Sequence, residues 1–377
     1  MPKRELIING FPLANDAVGI GAYGLRVARG LLQRRAELRV VPVIAAPAWL
    51  AARLDFGGDL RALASPRPGH PLLDQAVWSA RLGAHARARG ALLFSPAPFW
   101  SPLAPSDSVV CHHDRIYHHF PRYLGRKFVR HVLAYRAEKF LRRCRVIVTE
   151  SEHARNDIAK IPGVRAESIS VIRAWLPQEF NPEHARRTAG GVRKKYGLPE
   201  RFWLYVGGYD YRKNVEMMIA AYAQTAGKTD APRLVLAGRM PPRNGPFCDV
   251  EGAVRRAGLR DDAVIRPGFI DHADMPGLFG AAELMIYPSR HEGFGLPPME
   301  AMGCGCPAIC GDNSSLPEVV SDADYRFRDD GQEGLAKLLS RAATGRLPLN
   351  PAFTRDDFDE RKAMDAYVNL FNGIEEK

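Results

Sequence analysis

Short apolar runs, separated by turn residues and longer helical stretches, organise this chain. Leu6–Asn9, Val40–Ile44, Ala91–Phe94, Ser108–Val110 and Arg145–Val148 make a first series. Phe202–Val206, Arg233–Ala237, Ala263–Ile265, Leu284–Tyr287 and Pro307–Cys310 make a second. Runs this short and this apolar read as strands buried on both faces, the habit of parallel sheets. Helical stretches such as 25–34, 214–226, 249–257 and 273–281 alternate with them, so two α/β units in tandem are expected. Between the units, 173–200 carries Trp175-Leu176-Pro177, Asn181-Pro182 and a charged stretch ending in Arg193, Lys194 and Lys195, and it reads as a linker. An amphipathic helix is expected from Phe358 to Phe371. Ligands of such sheets sit at strand carboxyl ends, so the chemistry should lie on the loops that follow strands.

Composition narrows the class. With 377 residues, 46% hydrophobic and 25% charged, the chain suits two soluble cores and excludes a fibrous or disordered protein. No apolar run nears the roughly 18–20 residues of a membrane span. The first residues show no signal-peptide pattern, so the cytoplasm is the expected compartment. Among six cysteines, Cys304-x-Cys306-x3-Cys310 lacks the Cys-x2-Cys knuckle of a zinc site, and small residues packed in a turn explain it better. A net charge of +11 favours anionic partners without choosing among nucleotide, nucleic acid and membrane surface.

Three motifs carry chemistry. In the first, strand 284–287 runs into Glu292-Gly293-Phe294-Gly295-Leu296-Pro297-Pro298, and Glu300 follows one turn into a helix. Glycines admit a ligand close to the backbone, and amides at a helix start favour a diphosphate. A carboxylate can grip two vicinal hydroxyls. In the second, Gly207 and Gly208 precede Arg212 and Lys213, two adjacent cations at a strand end. The third is Gly19-Ile20-Gly21-Ala22-Tyr23-Gly24 after the first strand. A dinucleotide fingerprint would need an acid at the end of the next strand, and Val40–Ile44 has none, which disfavours a dehydrogenase. Ser315 to Glu318 reads as a capping box.

Glu292 and Glu300, with the segment through Pro307 and Asn313–Glu318, resemble the signature of the retaining GT-B glycosyltransferases of family 4. The resemblance implies two Rossmann-like α/β/α domains facing across a cleft: an acceptor-side domain over 1–176, completed by a C-terminal helix in 357–377, and a nucleotide-sugar domain over 190–356. It implies that Glu292 contacts the donor sugar, Glu300 holds the ribose, and the amides of Gly293, Phe294, Gly295 and Leu296 bind the diphosphate. Arg212 and Lys213, beside Gly207 and Gly208, would neutralise the leaving group. The loop of Gly19 and Gly21 would lie near donor phosphates and acceptor, His113 and Asp114 would face the hexose, and Phe269 or Ile270 would meet the base. The implied reaction moves a hexose, mannose from GDP-mannose by preference, to a saccharide or lipid-linked glycan in polysaccharide or lipopolysaccharide biosynthesis. UDP and dTDP sugars stay open.

No metal or other cofactor is expected, since Arg212, Lys213 and helix amides supply positive charge. Asp322-x-Asp324 and Asp357-x-Asp359 match a metal-binding spacing only formally. From Arg115 to Arg145 the chain is strongly basic. On a helical period Leu124, Phe128, Val132 and Tyr135 share one face, and Arg122, Arg126, Lys127, Arg130 and Arg136 lie opposite, with Val129 and Leu133 among them. Such a helix can rest on the inner face of an anionic membrane or pack with a solvated back. Nucleic acid would explain the charge but not the phosphate loops. A sugar-nucleotide epimerase of the same fold, a glycoside hydrolase using Glu292 and Glu300, and a silent binding module are the alternatives.

Overall fold

The computed structural model describes residues 3–14, 19–124, 128–227, 229–240, 247–328, 331–348 and 353–375. It divides into two compact units, one of residues 1–117, 126–175 and 359–377, the other of 118–125 and 176–358.

In the first unit seven strands form one sheet: β1 Glu5–Asn9, β2 Val41–Pro47, β3 Leu60–Leu63, β4 Leu92–Ser95, β5 Val109–Cys111, β6 Val146–Thr149 and β7 Ile169–Val171. Their order is β3-β2-β1-β4-β5-β6-β7, and each neighbouring pair is parallel. Strand order reverses between β1 and β4. There Asn9 donates to Ser95 Oγ at 3.1 Å and accepts from the buried Trp78 indole at 2.9 Å. The helix Glu360–Glu375 belongs to this unit, with Phe371 edge-on to Phe94 and Tyr367 bonded to the Tyr23 hydroxyl at 2.6 Å.

The second unit has β8 Phe202–Val206, β9 Arg233–Ala237, β10 Val264–Gly268, β11 Leu284–Tyr287, β12 Ala308–Gly311 and β13 Arg326–Phe327. The order is β10-β9-β8-β11-β12-β13, again parallel throughout, with its reversal between β8 and β11. The central strands β8, β11 and β12 are almost wholly buried, as their unbroken apolar sequences require. The strands β3, β7 and β13 are absent from the apolar runs because each is a short edge strand. Only one side of an edge strand must be covered, so Arg61, Ser170 and Arg326 are tolerated there.

Two expectations change here. The expected linker is largely a helix, Pro182–Lys195, with Asn181 as N-cap accepting from the His184 amide at 2.9 Å. It packs on the helix Met275–Ala281 so closely that a Cβ at Gly280 would lie 2.6 Å from the Ala185 carbonyl. Its exposed cations made a packed helix read as a tether. The helix after β1 starts at Ile20 rather than near residue 25, which puts Gly21 and Gly24 inside it.

Candidate functional site at the β8–β11 switch point

Where strand order reverses, the loops after β8 and β11 part and leave a crevice at the strand ends. The loop after β8 forms a short helical turn, Tyr211–Lys213, closed by Asn214 in the left-handed region at φ 56°. The loop after β11 carries Glu292. One Glu292 oxygen lies 2.7 Å from Lys213 Nζ and the other 2.8 Å from an Arg212 guanidinium nitrogen. Lys213 also donates to the Tyr287 hydroxyl at 2.7 Å, and Arg212 to the His291 carbonyl at 2.8 Å. Asp210 stands 3.4 Å from Arg212. Arg212, Lys213 and Asp210 are buried, and the Glu292 side chain is only 12% exposed.

Burial alone would push the Glu292 carboxyl up, yet the charges of Lys213 and Arg212 hold it at about 2. The same burial draws Lys213 below the usual lysine range, against the pull of Glu292. The group is a buried ion triad whose members are costly to remove singly.

Past Glu292 the chain turns through Gly293, Phe294 and Gly295 into the helix Leu296–Gly303. Gly295 has φ 115°, a backbone that side chains rarely adopt. Pro297 and Pro298 remove two of the amides a helix start normally offers. The donors lie just upstream instead: among the described residues the amides of Phe294, Gly295 and Leu296 find no acceptor. Two serines fix the turn. The Glu292 amide donates to Ser314 Oγ at 3.0 Å, and the Ser315 hydroxyl bonds the Glu292 and Phe294 carbonyls at 3.0 and 2.8 Å. This corrects the capping-box reading, since Ser315 makes no side-chain cap to its own helix, the four-residue Leu316–Val319. Glu300 is half-buried on the Leu296–Gly303 helix, between the buried Met299 and Ala301.

Of the remaining residues, Gly207 and Gly208 follow β8, with Gly207 at φ 154° and Gly208 exposed. Phe269 is exposed after β10, with the Arg239 guanidinium 5.6 Å from its ring centre. Ile270 is buried in the core, so its side chain is not offered to a ligand. Phe120, in the short segment 118–125 of this unit, packs edge-on against Tyr211.

In the first unit His113 follows β5. Its Nδ1 lies 2.6 Å from Glu150 and its Nε2 3.3 Å from the Pro96 carbonyl, with Tyr23 edge-on to the ring. Burial works to lower its pKa, but the Glu150 charge and hydrogen bond raise it above the ordinary histidine value. Asp114 accepts from the Ile116 amide at 3.0 Å and so holds the turn after β5. His112 is buried and held at about 3 by desolvation, so His113 is the titratable member of the pair. Gly19 is exposed at the start of the helix Ile20–Gln33, and Gly21 is buried in its first turn.

Glu150, Tyr287, Asp210 and Ser314 escaped the sequence reading. Glu150 directly follows the apolar run of β6, which is the one signal that marks it.

All six cysteines are buried and unpaired, and burial lifts Cys304, Cys306 and Cys310 to about 12 or beyond. Asp322 caps the turn at Asp324, and Asp359 caps the C-terminal helix through the Lys362 amide. In the basic segment Arg126 and Lys127 fall outside the described residues, as do the side chains of Leu124, Phe128, Val129, Arg130 and Leu133. Tyr135 is 62% exposed, which removes it from the expected core-facing stripe. Arg136 stacks over Trp100, and Arg115 turns inward to Glu138 and Asp157. No helix among the described residues is long and apolar enough to cross a membrane.

Comparison with known proteins places the chain among glycosyltransferase relatives. Residues 192–354 match the family model described as glycosyl transferases group 1. The chain is 31% identical to the O-antigen chain mannosyltransferase B of Escherichia coli over 60% of this chain and 58% of that protein. It is 28% identical to the serotype-specific mannosyltransferase WbdA of Escherichia coli, over 64% of this chain and 30% of that one. The chain thus spans less than two thirds of these relatives. Among solved structures it is similar to a sucrose-phosphate synthase from Thermosynechococcus elongatus, with TM-score 0.73, 17% identity and 99% of both chains covered. It is also similar to WaaG, a glycosyltransferase involved in lipopolysaccharide biosynthesis, with TM-score 0.71, 16% identity and 98% of this chain and all of that one covered. Over nearly its whole length the fold is that of the GT-B proteins, and Glu292, Arg212 and Lys213 lie in the region that matches the glycosyl transferases group 1 model.

Proposed function

We propose that this protein is a retaining, metal-independent hexosyltransferase. It would move mannose from a nucleoside diphosphate sugar, GDP-mannose first, to a saccharide or lipid-linked glycan acceptor. The observation that carries this reading is the buried Glu292–Arg212–Lys213 triad at the strand reversal, beside the unengaged amides of Phe294, Gly295 and Leu296. Without ligand, both Glu292 oxygens are engaged by the two cations. A bound diphosphate competes for those cations and frees the carboxylate to accept from sugar hydroxyls. In transfer the bond from the anomeric carbon to the β-phosphate oxygen breaks. The acceptor oxygen bonds the same face, and its proton passes to a β-phosphate oxygen. Charge then grows on the leaving diphosphate, where Arg212, Lys213 and the amides stabilise it without a bound metal ion. Glu300 holds the ribose and the exposed Phe269 meets the base.

Mannose is preferred because the relatives of 28–31% identity are named mannosyltransferases. One solved neighbour is described in complex with UDP-glucose, so UDP stands as the second candidate. A hydrolase working through Glu292 and Glu300 is disfavoured. Glu292 held at about 2 is an anion throughout the working range and cannot act as the general acid, and both its oxygens are engaged by Arg212 and Lys213 rather than free for nucleophilic attack. The exposed cations Arg136 and Lys139 of the first unit suit weak, salt-sensitive attachment to the inner face of an anionic membrane. That would bring a cytoplasmic enzyme to a lipid-linked acceptor.

Thermal shift against GDP, UDP, dTDP and ADP tests the donor, because a ligand at 100 times its Kd stabilises by about 2.7 kcal/mol. GDP should give the largest shift. Incubation with GDP-mannose, an acceptor and excess EDTA should still yield an α-linked product. Loss of turnover in EDTA, or an inverted linkage, counts against the mechanism.

A further inference from the structure

The first unit also holds a cavity of about 740 Å³ at the opposite, amino edge of its sheet. Arg142 and Arg143 follow the helix Phe128–Leu141, Arg145 leads into β6, and Arg165 lies shortly before β7; all four line it. The apolar part of the wall comes from Val146 and from Leu370 and Ile374 of the helix Glu360–Glu375. Arg145 and Glu150 bracket β6. Five residues of strand at about 3.3 Å each put roughly 17 Å between this cavity and His113's partner. It is therefore a separate place on the molecule.

Its charge is unbalanced. Asp107 at the rim is occupied by Arg4 at 2.5 Å, and Glu167 reaches Arg165 only at 4.0 Å. Among the described residues Arg142, Arg143 and Arg145 pair with no acid. Four guanidiniums around one hollow repel each other, and a bound anion removes that repulsion. Guanidinium forks match phosphate oxygens in bidentate fashion, which a surface ammonium does not do. The volume lies in the range of small-molecule sites, roughly 300–1,000 Å³, and an apolar floor beside the cations suits an organic body rather than a bare ion.

We infer that this cavity binds a phosphate or diphosphate ester, with its oxygens on the arginines and its organic part against Val146, Leu370 and Ile374. The ester is either a soluble phosphorylated molecule or the headgroup of an anionic lipid. This inference is independent of the transferase reading, since its test needs no turnover.

Hydrogen–deuterium exchange of the whole protein locates binding without a variant. Inorganic pyrophosphate at millimolar concentration should slow exchange in peptides covering 142–146 and 365–374. This signal is separate from any change at 207–214 and 292–296. In the variant Arg143→Gln/Arg165→Gln the protection at 142–146 should fall at least tenfold in apparent affinity. The charge-matched control Arg186→Gln/Arg187→Gln, on the other unit, should leave it unchanged. Cosedimentation with phosphatidylglycerol against phosphatidylcholine vesicles separates the sources. Phosphatidylglycerol binding that is lost in the cavity variant and kept in the control assigns a lipid headgroup. Pyrophosphate protection without vesicle binding assigns a soluble ester. No protection at 142–146 with either probe, or protection equal in variant and control, overturns the site.

Discussion

Each unit sets a buried carboxylate at the carboxyl ends of its parallel strands, but the two are partnered differently. Glu292 faces Arg212 and Lys213, with Asp210 behind them. Glu150 faces His113, with Tyr23 beside them and the Pro96 carbonyl on the ring's far nitrogen. An arginine keeps its charge at any working pH, so the field of the first arrangement does not change across that range. A histidine changes charge near neutrality, and its carboxylate partner decides where. One backbone device, an interior strand ending in a turn, thus serves a fixed field in one unit and a titratable one in the other.

The sharpest way to break that contrast is to delete the fixed cations. Arg212→Ala with Lys213→Ala should lower turnover by about 10³-fold or more, since a single preorganised donor is often worth 10²–10³. It should also cost about 3–5 kcal/mol of stability, because Glu292 is left buried without compensation. Denaturant melts separate the two effects. Replacing all three charges, Arg212→Met, Lys213→Met and Glu292→Gln, should restore much of the stability and none of the turnover. Near-normal turnover in the double variant would falsify the assigned role.

Glu292→Gln sharpens the contrast from the other side. Turnover should drop about 10²-fold. Free nucleoside diphosphate should bind several-fold tighter, because the cations lose their internal competitor. Glu292 is held at about 2, below its ordinary 4.5. Its stabilising contribution is therefore complete above about pH 4.5 and disappears as the pH falls through about 2. The stability gap between wild type and this variant should close over that window. Weaker nucleotide binding would show that Glu292 positions the two cations for the diphosphate rather than competing with it for them.

In the first unit the prediction is a shift rather than a loss. His113 is raised above 6.5 by Glu150 against the effect of burial. Its stabilising contribution is present below about pH 6.5 and is lost as pH rises through the raised value. Glu150→Gln removes the largest of the raising effects and leaves burial opposed only by Asp114 and the Pro96 carbonyl, so the imidazole should titrate at lower pH. Proton resonances of the His113 ring would report this directly. Activity should fall by roughly tenfold or less, with the change concentrated in the pH profile. An unshifted His113 titration sinks the pairing.

What the sequence disclosed follows the reach of its signals. The runs Phe202–Val206 and Leu284–Tyr287 are apolar enough to name the two central strands, and the loops of the candidate site follow them directly. Glu292, Arg212 and Lys213 were therefore legible, although the ion triad joining residues 79 apart was not. Glu150 was missed because its partner lies 37 residues away and its place directly after the β6 run is the one local signal that marks it. The linker misreading has the opposite origin. Pro182–Lys195 shows solvent its arginines and lysines, while Ala185, Ala189 and Val192 give its buried stripe too little apolar bulk to register. The glycines from Gly19 to Gly24 suggested a loop by propensity, but Gly24 is wedged near Leu13 and Pro96, where packing requires a small residue within a helix.

Ser315 offers the mildest test, and it asks whether the Glu292 turn is as rigid as the fixed field requires. Its local pattern favours a cap for the four residues that follow. Its hydroxyl instead bridges the Glu292 and Phe294 carbonyls, because a tertiary pair of buried acceptors costs more unmet than one frayed short helix. Ser315→Ala should cost about 1–3 kcal/mol, the penalty of leaving a buried carbonyl unpaired. The catalytic effect should be smaller, a few-fold rise in KM with kcat nearly kept, because the triad still holds Glu292 by its side chain. Ser315→Thr retains the hydroxyl and should recover most of the loss if the added methyl is accommodated. A large fall in kcat from Ser315→Ala would mean that the backbone of the turn, rather than the Glu292–Arg212–Lys213 contact, sets the geometry of the site.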